Sequence, residues 1–308
     1  MKVVVPSYYG KFKCIASACR HSCCVGWEID VDEDTLEYYK SVGGRLGDRL
    51  RENISEDEGA HFVLGENERC PFLNSENLCD IICELGEESL CQICSDHPRY
   101  RSFFSDREEM GIGLCCEEAA RIIVSETDKM TLTVLSDDGE DDIADPIDTE
   151  FYRVRDEMLA IVQNRQKPIT ERLSDLAELC GISEMPSEDD SISLFRELEY
   201  MEQSIYGILS GSYKKEKHSE QLSAYETAFE QLSAYFIFRH MPASIENGSL
   251  RGTAFFCILS VKIIMLMCEK HLSENGCLGL SDIAEAARIY SAEIEYSEEN
   301  TDRLMNAI

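Results

Sequence analysis

The sequence predicts a mainly α protein with an irregular, cysteine-rich amino-terminal domain over residues 1–124, an acidic connector over 125–148 and an α-helical bundle over 149–308. Eleven of the fifteen cysteines fall at 14, 19, 23, 24, 70, 79, 83, 91, 94, 115 and 116. A turn-rich acidic run over 136–148 follows them, and beyond it apolar residues recur at steps of three and four. A length of 308 residues with 44% apolar content permits two modest domains.

In chain order, residues 1–6 carry a basic residue and a short apolar run that Pro6 ends, so no signal-peptide core is expected and the protein is expected to be cytoplasmic. The cysteine-rich stretch is punctuated by Gly26, Gly43, Gly44, Gly47, Pro71, Pro98 and Gly111, which predicts short elements whose missing hydrophobic core metal ligation would replace. Gly43-Gly44-Arg45-Leu46-Gly47 resembles a phosphate loop only faintly, and with no buried strand before it a turn is expected.

Phe151, Val154, Met158, Ile161 and Val162 make a first helical stripe. Leu173, Leu176, Ala177 and Cys180 make a second, introduced by Pro168 with Thr170 as cap. Leu194, Leu198, Met201, Ile205 and Ile208 make a third. Residues 220–239 leave only a narrow polar face, which predicts a largely buried helix. Residues 253–268 are too short for a bilayer and carry Lys262, so they too are expected to be buried. A last helix over 281–298 is expected, capped by Ser281 with Asp282 in its first turn. Arg239 and Lys262 stand on apolar helices, where partnered structural charges are expected.

A net charge of −31, from 60 acidic and 29 basic residues, excludes a nucleic-acid partner, because phosphate contacts need clustered lysine and arginine. No membrane partner is expected. The acidic surface speeds encounter with lysine-bearing proteins, although solubility alone would also account for it.

Disulfides do not persist in a reducing cytosol, so the early cysteines point to metal. Thiolates suit zinc, cuprous copper and iron–sulfur clusters. Structural zinc sites show paired CxxC spacings, and here only Cys91 and Cys94 have that spacing. Looser ligation suits an iron–sulfur cluster, which is the first reading, with zinc the alternative and thiol chemistry the third. Cys79 and Cys83 would share a helical face if 79–85 is helical. One of each adjacent pair is expected to ligate. Cys180, Cys257, Cys268 and Cys277 are expected in the core.

These residues resemble the flagellin lysine-N-methylase family, which carries a zinc- or iron-chelating cysteine-rich region. Val5-Pro6-x-Tyr8-Tyr9-x-x-Phe12-x-Cys14 leads into Cys19, Cys23-Cys24, Gly26-Trp27, Asp30 and Asp32. Cys70-Pro71-Phe72-Leu73, Leu78-Cys79-x-Ile81, Leu85-Gly86-Glu87-Glu88, Cys94-x-x-His97-Pro98-Arg99 and Leu114-Cys115-x-Glu117-x-Ala119 continue it. Glu171-Arg172-Leu173, Phe238-Arg239 and Glu293-Ile294-Glu295-x-Ser297-x-x-Asn300 extend it to the helical part. Cys83, Cys91 and Cys116 depart from the family pattern, and His97 stands where tyrosine is frequent. The resemblance implies methyl transfer from S-adenosylmethionine to lysines of flagellin or another lysine-bearing protein, with a [4Fe-4S] cluster. It implies ligands among Cys14, Cys19, Cys23, Cys24, Cys70, Cys79, Cys94 and Cys115. For the cofactor, Arg99 is a candidate carboxylate clamp, equally a salt-bridge residue, and Trp27 a candidate adenine stack, otherwise packing beside the metal. The lysine must lose its proton first, and Tyr8, Tyr9, Asp30 and Glu295 are candidate acceptors. A non-catalytic metal-chelating protein is the alternative, and an interaction module with a structural cluster the third reading.

Overall fold

The structure, a computed structural model, describes residues 1–139, 143–200 and 219–308. At 56% helix and 11% strand, the chain is mainly α as expected. Its contacts form two compact units: Lys13–Tyr100, and Met1–Phe12 together with Arg101–Ile308. That division differs from the expected one at 125–148, and the first residues show why. Val3, Val4 and Val5 are β-branched and suit a pleated strand, and Lys2–Pro6 is an inner strand of a four-stranded sheet in the larger unit. It pairs in parallel with Arg107–Ile112 (Lys2 opposite Arg107, Val4 opposite Glu109) and antiparallel with Leu132–Ser136 (Val5 opposite Thr133), and Arg99–Phe103 completes the order. The expected connector is structured at both ends: Leu132–Ser136 is an edge strand, and Asp145 caps the Pro146–Val162 helix by accepting from Asp148 N (2.8 Å). Residues 140–142 lie outside the described residues.

The Lys13–Tyr100 unit has an apolar core of its own, including Ile29, Val31, Tyr39, Leu46, Leu50, Phe62, Phe72 and Ile81. The expectation that metal replaces a missing core is corrected here: the apolar residues are too dispersed in sequence to show a stripe, yet they meet in space. Gly43 is the amino-terminal cap of a helix, Gly44–Glu52, rather than part of a turn. Gly47 lets that helix approach the preceding chain, since a Cβ there would lie 1.9 Å from Val42 O.

In the larger unit, the Glu226–His240 and Leu250–Asn275 helices are buried on nearly every side. Glu226–His240 packs on Leu250–Asn275, Glu117–Ser125 and Pro146–Val162, and Leu250–Asn275 packs on Leu280–Tyr290 and Glu298–Met305. Leu250–Asn275 is ten residues longer than the 253–268 expected. By length and composition it suffices to cross a membrane, and 78% of its most apolar window is buried inside the unit. Several buried charges in this core are paired. Arg155 and Glu109, each 1% exposed, form a bidentate pair that Arg107 joins at 3.0 Å. Glu230 accepts from Arg172 (2.8 Å) and Arg165 (2.8 Å). Lys262 has no ion-pair partner among the described residues, and burial lowers its pKa, which corrects the expectation of a paired charge.

Two caps differ from expectation. Pro168, not Thr170, precedes the Ile169–Leu179 helix, and Gly279, not Ser281, caps Leu280–Tyr290, where Asp282 accepts the Gly279 N–H at 2.8 Å. The expected 281–298 helix passes into a π turn, Ser291–Glu295, and restarts at Glu298–Met305 under a Ser297 cap. The third stripe begins in Glu188–Arg196. Its Met201, Ile205 and Ile208 lie outside the described residues. Cys180, Cys257 and Cys268 are buried as expected, whereas Cys277 is exposed in the turn after the left-handed Gly276 that ends its helix.

Candidate metal centre and buried carboxylate site

In the Lys13–Tyr100 unit, three stretches of chain bring thiols onto one core. Cys70 N donates to Cys24 O (2.8 Å) and Gly26 N to Glu68 O (3.0 Å), so those two loops run side by side. Asp80 N donates to Phe72 O (2.8 Å), and Arg49 holds that turn by donating to Asp80 (2.8 Å) and Pro71 O (3.0 Å). Asp32 caps the Glu33–Ser41 helix by accepting from Thr35 N (3.0 Å) and also accepts from Gln92 N (2.8 Å), which anchors the turn bearing Cys91 and Cys94. Tyr39 donates to Ser89 O (2.8 Å) just before that turn. Cys70 and Cys91 are thereby buried in the core, and Cys24, Cys79 and Cys94 pack against it.

The thiols sense one another. A hydrogen bond with Cys23 lowers Cys24 to about 6 against the effect of burial, with help from Ser22 and Arg69. A hydrogen bond with Cys94 likewise lowers Cys91, and Cys94 keeps its proton more tightly in return. Burial pushes Cys70 up to about 12 and raises Cys79. Negative charge on Cys24 disfavours ionisation of Cys70, Cys79 and Cys94, so the five share one electrostatic neighbourhood. All fifteen cysteines are free thiols. As donors, the gathered thiols fit a soft metal or cluster. Among the described residues, no three His, Cys, Asp or Glu side chains form a group set to hold a metal ion.

Of the eight cysteines singled out from sequence, the fold thus gathers Cys24, Cys70, Cys79 and Cys94. Cys91, set aside as a departure from the family pattern, sits among them, and its CxxC spacing to Cys94 was the signal for it. Cys23 is exposed and reaches the group through Cys24, Cys14 is exposed, and Cys19 is half-buried. Cys83 is exposed in the Asp80–Leu85 helix, while Cys79 is the amino-terminal cap of that helix and packs on the core, so the two do not both face inward. Trp27 and Arg99 are half-buried, and Arg99 donates to Ser95 O at 3.3 Å. Cys115 belongs to the larger unit.

There it borders a second constellation. Glu295 ends the π turn, a helical irregularity frequent at functional sites, and its side chain is fully buried. Tyr235 donates to it at 3.1 and 3.2 Å, His240 Nε2 lies 2.5 Å away and Arg239 Nε 3.4 Å. Tyr235 OH in turn accepts from Leu114 N (3.2 Å) and Arg239 Nη1 (2.7 Å). Burial works to raise the Glu295 carboxyl, but the Arg239 charge and the His240 hydrogen bond outweigh it and hold it at about 2. Burial lowers the pKa of His240 against the opposing effect of its hydrogen bond with Glu295. The Cys115 thiol is pushed up to about 12 by burial, against its hydrogen bond with Tyr296. Tyr8, carried in by the end of the first strand, is fully buried, and its hydroxyl has no hydrogen-bond partner among the described residues. Burial raises its pKa, and both Arg239 and Glu295 act on it.

Two of the four candidate proton acceptors therefore meet, Tyr8 and Glu295. Neither environment makes a base at neutral pH: Tyr8 keeps its proton, and Glu295, held at about 2, is a fixed anion. Tyr9 donates to Met110 Sδ (3.1 Å), and Asp30 is exposed in the smaller unit. His240 was not visible from sequence, since a lone histidine on an apolar helix carries no spacing signal.

Fold and thiols together define a cysteine-rich, mainly helical protein with a thiol-gathering unit. No protein-family model matches the chain, and no solved structure matches it. It is 29% identical over 145 residues to the lysine-N-methylase of Salmonella typhimurium, a match covering 42% of this chain and 34% of that protein. The same values hold for the lysine-N-methylase of Salmonella choleraesuis. Against the flagellar biosynthetic protein FliU of Salmonella muenchen, the identity is 29% over 140 residues, covering 42% of this chain and 81% of the relative. Over those residues the chain is similar to the lysine-N-methylases, in keeping with the resemblance its motifs carry. It spans about a third of the length of the two lysine-N-methylases it matches.

Proposed function

We propose that this chain is a protein-lysine N-methyltransferase that acts on flagellin or another lysine-bearing protein, with S-adenosylmethionine as methyl donor. Three of Cys24, Cys70, Cys79, Cys91 and Cys94 would hold a [4Fe-4S] cluster that keeps one iron open, with zinc the alternative occupant. The observation that carries this reading is the gathering of those five thiols on one core in a chain related to lysine-N-methylases. When bound, a cluster with one open iron supplies a Lewis-acid position for the amino and carboxylate groups of the donor's methionine moiety. Arg99 would clamp a carboxylate of the donor through its planar fork, and Trp27 would stack on the adenine.

The chemistry demands an uncharged amine, because an ammonium with a pKa near 10.4 has no lone pair to attack with. Glu295 is an anchor for positive charge rather than the acceptor of that proton, since a carboxyl held at about 2 is a weak base. The buried Tyr8 hydroxyl, on which both Arg239 and Glu295 act electrostatically, has no hydrogen-bond partner among the described residues.

Two measurements test the proposal together. Anaerobically purified protein, assayed for iron, sulfide and zinc with a visible spectrum, is expected to carry iron and acid-labile sulfide. Incubation with S-adenosylmethionine and flagellin, followed by intact mass, is expected to add methyl units. Metal without methyl transfer to any lysine-bearing substrate leaves the non-catalytic chelator, and the absence of bound metal removes the role given to the thiols.

A further inference from the structure

The Leu132–Ser136 strand lies last in the sheet order, hydrogen-bonded to Lys2–Pro6 on its inner side, and no further strand pairs with it among the described residues. Its alternating side chains are exposed on both faces, with Val134 57% and Leu135 53% accessible. An open edge of this kind is ordinarily blunted by lysine, arginine or proline. The opposite edge strand carries Arg99 and Arg101, whereas the sequence here is Leu-Thr-Val-Leu-Ser. Bare apolar edges are where extended peptides add to sheets, with the main chain giving affinity and alternate side chains giving selectivity.

We propose that this edge is the docking line for an extended, lysine-bearing segment of a protein partner, which adds to the sheet as a fifth strand. The inference rests on the lysine-methylase reading and supplies the mode of substrate engagement. Charge selects the occupant. Asp137 and Asp138, both exposed, follow the strand directly, and the whole chain carries −31. A basic segment is drawn to such an edge, while a second copy of the chain would bring like charges together.

The test uses two twelve-residue probe peptides, one alternating valine with lysine and one alternating valine with glutamate, and no methyl donor. Binding is read by fluorescence anisotropy and by hydrogen exchange of the intact chain. The lysine peptide is expected to slow exchange at the amides of 132–136, to bind at least tenfold tighter than the glutamate peptide and to weaken in added salt. Val134→Lys and Leu135→Lys, at exposed positions that leave the fold intact by circular dichroism, are each expected to weaken it at least tenfold. Absent protection at 132–136, equal binding of both peptides, or protection that appears with protein concentration alone, as pairing with a second copy would give, overturns the proposal. Because methyl transfer is not the readout, a failure here and a failure of the enzyme assay are separate results.

Discussion

Replacing Tyr235 by phenylalanine removes one oxygen and keeps the ring, so it isolates the polar linkage around Glu295. That oxygen accepts from Leu114 N (3.2 Å) and Arg239 Nη1 (2.7 Å) and donates to Glu295 (3.1 and 3.2 Å). Tyr235 is fully buried and Glu295 nearly so, and water has little access to repair the loss. One neutral hydrogen bond contributes about 1 kcal/mol, and each of two bonds to charged groups about 1.5–3 kcal/mol. Partial relaxation of the Arg239 side chain brings the sum to about 3–5 kcal/mol, a large fraction of a domain's roughly 5–15 kcal/mol. Urea unfolding followed by circular dichroism and tryptophan-independent tyrosine fluorescence should show the midpoint falling with an unchanged slope. A loss below about 1 kcal/mol would mean that the hydroxyl is not the hub these distances describe.

Glu295 is held at about 2 against an ordinary 4.5, so its contribution is fully present above pH 4.5 and is lost as pH falls towards 2. Acid titration of stability should show a component on the order of 3 kcal/mol in that window that Glu295→Gln abolishes. Glu109→Gln leaves Arg155 buried without its counter-charge and should cost about 3–5 kcal/mol, read by thermal or chemical denaturation, whereas replacing both partners with apolar residues should cost less. Gly252→Ala would place a Cβ 2.2 Å from Met305 O, and a loss of about 1–3 kcal/mol with loosening of Glu298–Met305 in hydrogen exchange is expected. Asp32→Ala removes both a helix cap and the acceptor for Gln92 N; about 2 kcal/mol should be lost, and exchange should quicken at residues 91–94.

The sequence by itself determined the helical character of the second half, because burying one stripe of a helix demands apolar residues at steps of three and four, and Phe151, Val162, Leu173 and Leu176 show it directly. It also determined that the first hundred residues hold an unusual concentration of thiols, and their motifs pointed to the lysine-methylase family. Tertiary structure alone decided where the units divide, since strand pairing joins residues a hundred positions apart and leaves no local trace: Val4 opposite Glu109 and Val134 makes the first residues part of the larger unit. It decided that Cys91 belongs with Cys24, Cys70, Cys79 and Cys94 while Cys115 lies beside Glu295, because convergence depends on how loops are pinned by Arg49 and Asp32 and not on spacing along the chain. And it alone decided the character of Glu295, one of many acidic residues in sequence, whose charge state comes from burial against Arg239 and His240 rather than from its own chemistry.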